Sequence, residues 1–312
     1  MTSPRQTASF LIDKFREVGI RPNTRRGQNF LIDLNLVQLL ADSAELGPGD
    51  VVLEIGTGTG SLTAILAGLA AAVVTVEIDP QMYQLASEAL IDCTNVTMLR
   101  QDVLKTKSRF HPDVLAAVRE KLGEQPGRRL KVAANLPYNI ATPVLSNLLN
   151  TDLLPVSLTV TIQKELADRI TAVPSTKDYG ALSVWIQSQC DTRIIRVLPP
   201  TVFWPRPKVE SAILQMLPNA KKRDRISDLD LFHSFVRSIF FHRRKFLRSE
   251  LLSAFKRQLD KAAVDAILRE RSLEGSVRAE ELGVDAMLGL YEAVRRRVLD
   301  SKNPDFSEKP EF

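Results

Sequence analysis

From Asp50 to about Ala220, short apolar runs alternate with helix-period segments, and no other feature of the sequence narrows the fold as much. Residues 51–55, 73–78, 96–99 and 132–134 read as buried strands, with helices at 61–69, 80–91, 113–121 and 142–149 between them. Apolar strand-like runs alternating with helices predict an α/β domain, a mostly parallel sheet with helices on both faces. Further strand candidates are 158–162, 193–198 and 211–217. The stretch 107–129, with Pro112, Gly123, Pro126 and Gly127, predicts a helix flanked by loops. Beyond Pro218 the pattern changes: 221–225 reads as a charged linker, and 231–241, 244–255, 261–270 and 286–298 are helical in period, with no strand. The expected organisation is a ligand-binding domain over 1–220 with a basic N-terminal arm, a small all-helical domain over 221–300, and a polar, disordered tail over 301–312.

Composition removes several alternatives. No apolar run reaches the roughly 18 residues that a membrane span needs, and Glu54, glycines and threonines interrupt the best candidate. Cys93 and Cys190 are the only cysteines and His111, His233 and His242 the only histidines, so neither a disulfide framework nor a metal site is expected. The chain reads as cytoplasmic. Its net charge of +5 is only mildly basic, but the distribution is uneven. Between Leu231 and Ser249 there is no acid, whereas Arg237, Arg243, Arg244, Lys245 and Arg248 are interleaved with Phe240, Phe241 and Phe246. Such a segment suits a nucleic-acid backbone or, equally, a solvated helix face. Arg16, Arg21, Arg25 and Arg26 form a second basic group.

The segment Val51-Val-Leu-Glu-Ile-Gly-Thr-Gly-Thr-Gly60 is a strand, a glycine turn and a helix start. Gly56, Gly58 and Gly60 allow a sharp turn and close approach to a ligand. The spacing is G-x-G-x-G, with Ser61 where a dinucleotide fingerprint continues, and with Glu54 ahead of it the turn resembles motif I of class I methyltransferases. Glu77 ends the second strand, where a carboxylate accepts ribose hydroxyls; Asp102 follows the third, where it accepts from an adenine amine; Asn135 follows the fourth. Ligands of open α/β sheets sit at the carboxyl ends of the strands. Any one of these acids could instead cap a helix, as Asp79 before Pro80 is expected to do.

Asn135-Leu136-Pro137-Tyr138 matches the motif of enzymes that alkylate exocyclic amines. Such an amine shares its lone pair with the ring and is a poor nucleophile. Acceptors for its two N–H groups favour the pyramidal, reactive geometry. Proline donates nothing at 137, and Tyr138 offers a flat face to a base.

Taken together the chain resembles the small-subunit ribosomal RNA adenine N6,N6-dimethyltransferases of the kasugamycin-resistance type. The resemblance runs from about Arg21 to Leu252, on Gly27-Gln-Asn-Phe-Leu31, the Glu54–Gly60 turn, Val76-Glu-Ile-Asp-Pro80, Gln101-Asp-Val-Leu104, Asn135-Leu-Pro-Tyr-Asn-Ile140, Phe203-Trp-Pro-Arg-Pro-Lys-Val209 with Ser211, and Arg243-Arg-Lys with Arg248. It implies a class I methyltransferase, Rossmann-like domain using S-adenosyl-L-methionine, with Asn29, Leu31, Gly56, Gly58, Glu77, Asp102 and Asn135 at the cofactor. It implies Asn135, Leu136, Pro137 and Tyr138 at the target amine, Phe203 on the other face of the base, and Arg243, Arg244, Lys245 and Arg248 on RNA. The implied partner is small-subunit rRNA within a pre-ribosomal particle, bound by a monomer, with no membrane and no metal. Alternatives are a large-subunit enzyme of the macrolide-resistance type and a ribosome-assembly checkpoint factor. Thr57 and Thr59 depart from the family's usual residues, and 107–129 looks like an insertion. Three smaller readings stay open: Phe203-Trp204 as a packed loop, Asn29 as a helix cap, and Tyr179-Gly180 as a plain turn.

Overall fold

The structure, a computed structural model, describes residues 8–17, 19, 22, 27–242 and 245–300. The tail over 301–312, the cations at 21, 25 and 26, and the arginines at 243 and 244 lie outside the described residues. Contacts divide the chain into two compact units, one made of 27–167 with 192–218 and the N-terminal helix, the other of 168–191 with 219–300.

In chain order the elements of the first unit begin with α1 (Ala8–Glu17), β1 (Phe30–Leu31), α2 (Leu34–Ser43), β2 (Asp50–Ile55), α3 (Ser61–Leu69), β3 (Ala72–Glu77) and α4 (Pro80–Ala89). They continue with β4 (Val96–Arg100), β5 (Leu104–Thr106), β6 (Arg109–Phe110), α5 (Pro112–Gly123), β7 (Arg129–Asn135), α6 (Ala141–Leu148) and β8 (Ser157–Gln163). After α7 (Lys164–Thr171), which runs into the second unit, and α8 (Ala181–Gln187), which belongs to it, come β9 (Cys190–Leu198), β10 (Phe203–Trp204) and β11 (Ser211–Pro218). Seven strands form one sheet in the order β4-β3-β2-β7-β8-β11-β9. The first five run parallel, and β11 is antiparallel to β8. The predicted α/β class holds.

β2 and β3 are buried along their whole length, which is why they read as predominantly apolar runs, with Glu54 and Thr75 the buried polar exceptions away from their ends. Val52 of β2 pairs with Val73 of β3, and both pack under Val37, Leu40 and Ala41 of α2 and Leu66 of α3. Leu11 and Phe15 of α1 pack with Phe30 and with Met82 and Leu85 of α4. Strand order reverses between β2 and β7. The connections from these neighbours leave in opposite directions, so a crevice opens at their carboxyl ends. The stretch 107–129 holds the expected helix, α5, preceded by a small hairpin of β5 and β6 that the pattern did not predict.

The second unit differs from the single cut expected near 220. Residues 168–191 belong to it because Trp185 of α8 lies against Phe232 of the helix α10 (Leu229–Ile239), ring centroids 6.3 Å apart, and the fully buried Tyr179 donates its hydroxyl to the Leu282 carbonyl at 2.8 Å. The expected linker is ordered: α9 (Ala220–Arg223) is capped by Asn219, and Lys222 pairs with Asp191 at 2.8 Å. The remaining helices are α11 (Leu247–Ala254), α12 (Lys261–Glu270) and α13 (Val284–Asp300), close to the predicted positions. Tyr291 of α13 closes the core against Phe232 and Phe235. No strand follows Pro218 among the described residues.

Candidate methyl-transfer site

The glycine turn leaves β2 with φ of +86°, +55° and +82° at Gly56, Gly58 and Gly60, a region that other L-residues rarely adopt. Gly56 also lacks space: a Cβ there would sit 3.3 Å from the ring of Pro137. The turn and the Asn135 motif therefore touch through a position only glycine can fill. Beneath them a buried network ties the turn to its neighbours. The Glu54 Oε2 atom accepts from Thr63 and Thr75, each at 2.6 Å, and Thr75 is 2.7 Å from Thr57. Burial pushes the Glu54 carboxyl up to about 8, against the opposing effect of the two hydroxyls. Thr57, a departure from the family pattern, is thus a member of this network.

Glu77 stands at the end of β3. Its two carboxylate oxygens accept from the N–H groups of Gly58 at 3.0 Å and Asp79 at 2.9 Å. Burial raises its pKa and those backbone bonds oppose the shift. The carboxylate keeps acceptor capacity for a ligand hydroxyl. Asp102, after β4, is anchored by the Leu104 N–H at 2.9 Å and leaves its carboxylate exposed. As expected, Asp79 caps α4; Asp33, rather than Asn29, caps α2.

Asn135 ends β7. Its Nδ2 donates to the Asn29 carbonyl at 2.9 Å, so the amide is oriented with Oδ1 left to accept. The Leu136 N–H donates to the Thr161 carbonyl at 3.0 Å and its side chain is buried, which fixes the peptide that follows. The Pro137 carbonyl accepts from Ile140, turning the chain into α6. Tyr138 is half-buried, and its hydroxyl lies 2.5 Å from that of Ser211. Burial raises the phenol above its ordinary pKa and the Ser211 bond opposes it.

Asn29, Gly56, Gly58, Glu77, Asp102 and Asn135 line one cavity. Its acceptors and backbone turn fit S-adenosyl-L-methionine: carboxylates for ribose and adenine, a glycine turn for close approach, and an amide for the amine. Phe30, Ile78 and Val103 supply its apolar wall. Sequence reasoning missed these three, although each adjoins a residue it had singled out.

Four expected site residues do not line this cavity: Leu136 and Tyr138, which follow Asn135, and Leu31 and Phe203. Leu31 and Phe203 pair across the β1–β10 ladder and lie in the core with Val37, Leu198 and Ile213. Phe203 is 2% exposed and presents no open face to a base. The packed-loop reading of Phe203-Trp204 describes what is seen, with Trp204 against Phe15 and Phe30. In the second unit Lys245 is exposed, as are Phe241 and Phe246. Arg248 is engaged elsewhere than expected: its guanidinium makes two bonds to Asp265, at 2.6 and 2.9 Å, joining α11 to α12. Arg243 and Arg244 fall outside the described residues. Among the described residues there is no metal-binding group of three or more His, Cys, Asp or Glu, and no helix is long and apolar enough to cross a membrane.

A family model described as ribosomal RNA adenine dimethylase matches residues 19–292. A ribosomal RNA small subunit methyltransferase A of Lactiplantibacillus plantarum is 38% identical over 89% of this chain and 92% of its own. The protein of the same name from Alkaliphilus metalliredigens is 36% identical over 95% and 99%. Among solved structures, a dimethyladenosine transferase from Plasmodium falciparum superposes with a TM-score of 0.70 at 22% identity, covering 85% of this chain and 97% of that one. A 23S rRNA methyltransferase, ErmE, gives 0.60 at 25%, covering 85% and 99%.

Proposed function

The chain belongs to the ribosomal RNA adenine dimethylase family, and on that premise we propose how its residues carry out the dimethylation of adenine amines in small-subunit rRNA with S-adenosyl-L-methionine as methyl donor. Glu77 binds the cofactor's ribose, Asp102 its adenine, and the Gly56–Gly58 backbone packs against it. When bound, the cofactor supplies an electrophilic methyl group. The target adenine is splayed out of its helix to reach the site, as for other enzymes that act on bases. The Asn135 Oδ1 and the Leu136 carbonyl accept the two N–H bonds of its amine and favour the pyramidal geometry in which the lone pair is available. Tyr138 stacks on the ring. The proton released on methylation passes to solvent, with no metal or histidine base required.

The observation that carries this reading is the Asn135–Asn29 bond, which orients an amide acceptor at the end of β7, beside the glycine turn. In the second unit, Lys245 with the exposed Phe241 and Phe246 suits an RNA surface, with phosphates met by the cation and bases by the rings. Within the proposal the protein acts as a monomer in the cytoplasm, on a pre-ribosomal particle. The test is incubation with methyl-labelled cofactor and small subunits lacking the modification, followed by digestion to nucleosides. Dimethyladenosine from small-subunit RNA is expected; label only in large-subunit RNA, or none, would overturn the reading.

A further inference from the structure

The 2.5 Å contact between the Tyr138 and Ser211 hydroxyls has no part in the chemistry above. Ser211 is fully buried at the first position of β11, paired with Gln163 in the antiparallel ladder. The preceding carbonyl, that of Glu210, accepts from Lys164 N–H at 3.0 Å, so the serine backbone is held from both sides. Tyr138 follows Pro137 on a turn closed by the Ile140 N–H. Its backbone is fixed, but the side chain keeps two torsions. A hydrogen bond at the far end of the ring restrains both. It is made at the hydroxyl, on the edge of the ring, and does not itself occupy either face. With Phe203 in the core, Tyr138 is the aromatic of the Asn135 motif assigned to the base, so the plane of its ring sets where the amine falls relative to the Asn135 Oδ1 atom.

We infer that Ser211 is a positioning residue: by holding the Tyr138 hydroxyl it fixes the plane against which the target adenine stacks and aligns the amine through both methyl transfers. The inference rests on the assignment of Tyr138 to the base. The second transfer demands more of this alignment, because the monomethylated amine has one N–H left to direct at an acceptor and the first methyl must be accommodated beside it.

The experiment is single-turnover methylation of undermodified small subunits by wild type, Ser211→Ala, Tyr138→Phe and the double variant, with mono- and dimethyladenosine counted separately. Each single substitution should slow transfer roughly threefold to tenfold, the range that one hydrogen bond spans, and monomethyladenosine should accumulate. The double variant should be no slower than the slower single one. Effects that multiply in the double variant, or Ser211→Ala placing both methyls at the wild-type rate, overturn the inference. Fluorotyrosine-labelled protein gives a readout apart from turnover. The fluorine resonance assigned to Tyr138 by its absence in Tyr138→Phe should move in Ser211→Ala, and a resonance that stays in place overturns the tether even if rates fall. Failure of the functional reading looks different: wild type itself would leave the adenines unmethylated, while the fluorine shift would still report the tether.

Discussion

The acids at the strand ends and the cations of the 231–249 segment are both charged residues in a recognisable pattern, yet the fold treats them differently. Glu77 and Asp102 line one cavity with Asn135 and the glycine turn. Of the four cations expected to form an RNA patch, Arg248 is bonded to Asp265 through two of its nitrogens, Lys245 is exposed, and the other two lie outside the described residues. A residue that ends a strand of a parallel sheet has one destination, the carboxyl edge. A helical arginine has as many destinations as there are acids within its reach. A strand-end acid therefore indicates a site more firmly than a basic run does.

The comparison is sharpened first where the largest effect is expected. Asn135→Ala should lower single-turnover methyl transfer by about a hundredfold or more, as loss of an electrostatic group aimed at the reacting atoms does; a wild-type rate would remove Asn135 from the chemistry. Glu77→Ala should weaken cofactor affinity by roughly tenfold to a hundredfold, since it removes a charged acceptor and frees the Gly58 and Asp79 amides. Asp102→Ala, which disturbs less of the turn, should cost about tenfold or less. Calorimetric titration measures both, and unchanged affinity in the two variants would break the assignment.

A smaller effect is expected beneath the turn. Folding raises the Glu54 carboxyl from 4.5 to about 8, because burial penalises its charged form. A group shifted upward adds stability that is complete below the unfolded pKa and is lost as pH rises through the folded one. Wild type should therefore lose stability between pH 4.5 and about 8, and Glu54→Gln, neutral throughout, should lose less. Glu77 contributes in the same direction. Parallel melting profiles for the two proteins would show that Glu54 does not titrate there. The smallest effect separates the two cations: Lys245→Ala should flatten the dependence of log K on log salt by about 0.7–0.9, whereas Arg248→Ala should leave that slope unchanged and lower thermal stability slightly.

Much of this was legible in the sequence, for physical reasons. The parallel strands are mainly apolar, so Glu77, Asp102 and Asn135 could be placed at strand ends before any coordinates. Leu31 and Phe203 share motifs with residues that line or adjoin the cavity, but letters do not reveal that they face each other across a two-residue ladder into the core. The Gly180 turn hid α8, a seven-residue helix whose identity depends on packing Trp185 against a helix about 45 residues later. The Arg248–Asp265 pair was invisible because the partner lies 17 residues away on another helix. The Tyr138–Ser211 bond was invisible for the same reason: it joins two motifs 73 residues apart.

The central claim is that the cofactor is held by the strand-end residues of the first unit and by nothing in the helices of the second. Hydrogen–deuterium exchange with and without S-adenosyl-L-methionine tests it most directly. Backbone amides at 56–60, 77–79, 101–104 and 135–140 should become protected, while those of α10, α11 and α12 should exchange as before. Protection confined to those three helices, or none at the four strand ends under saturating cofactor, would contradict the account.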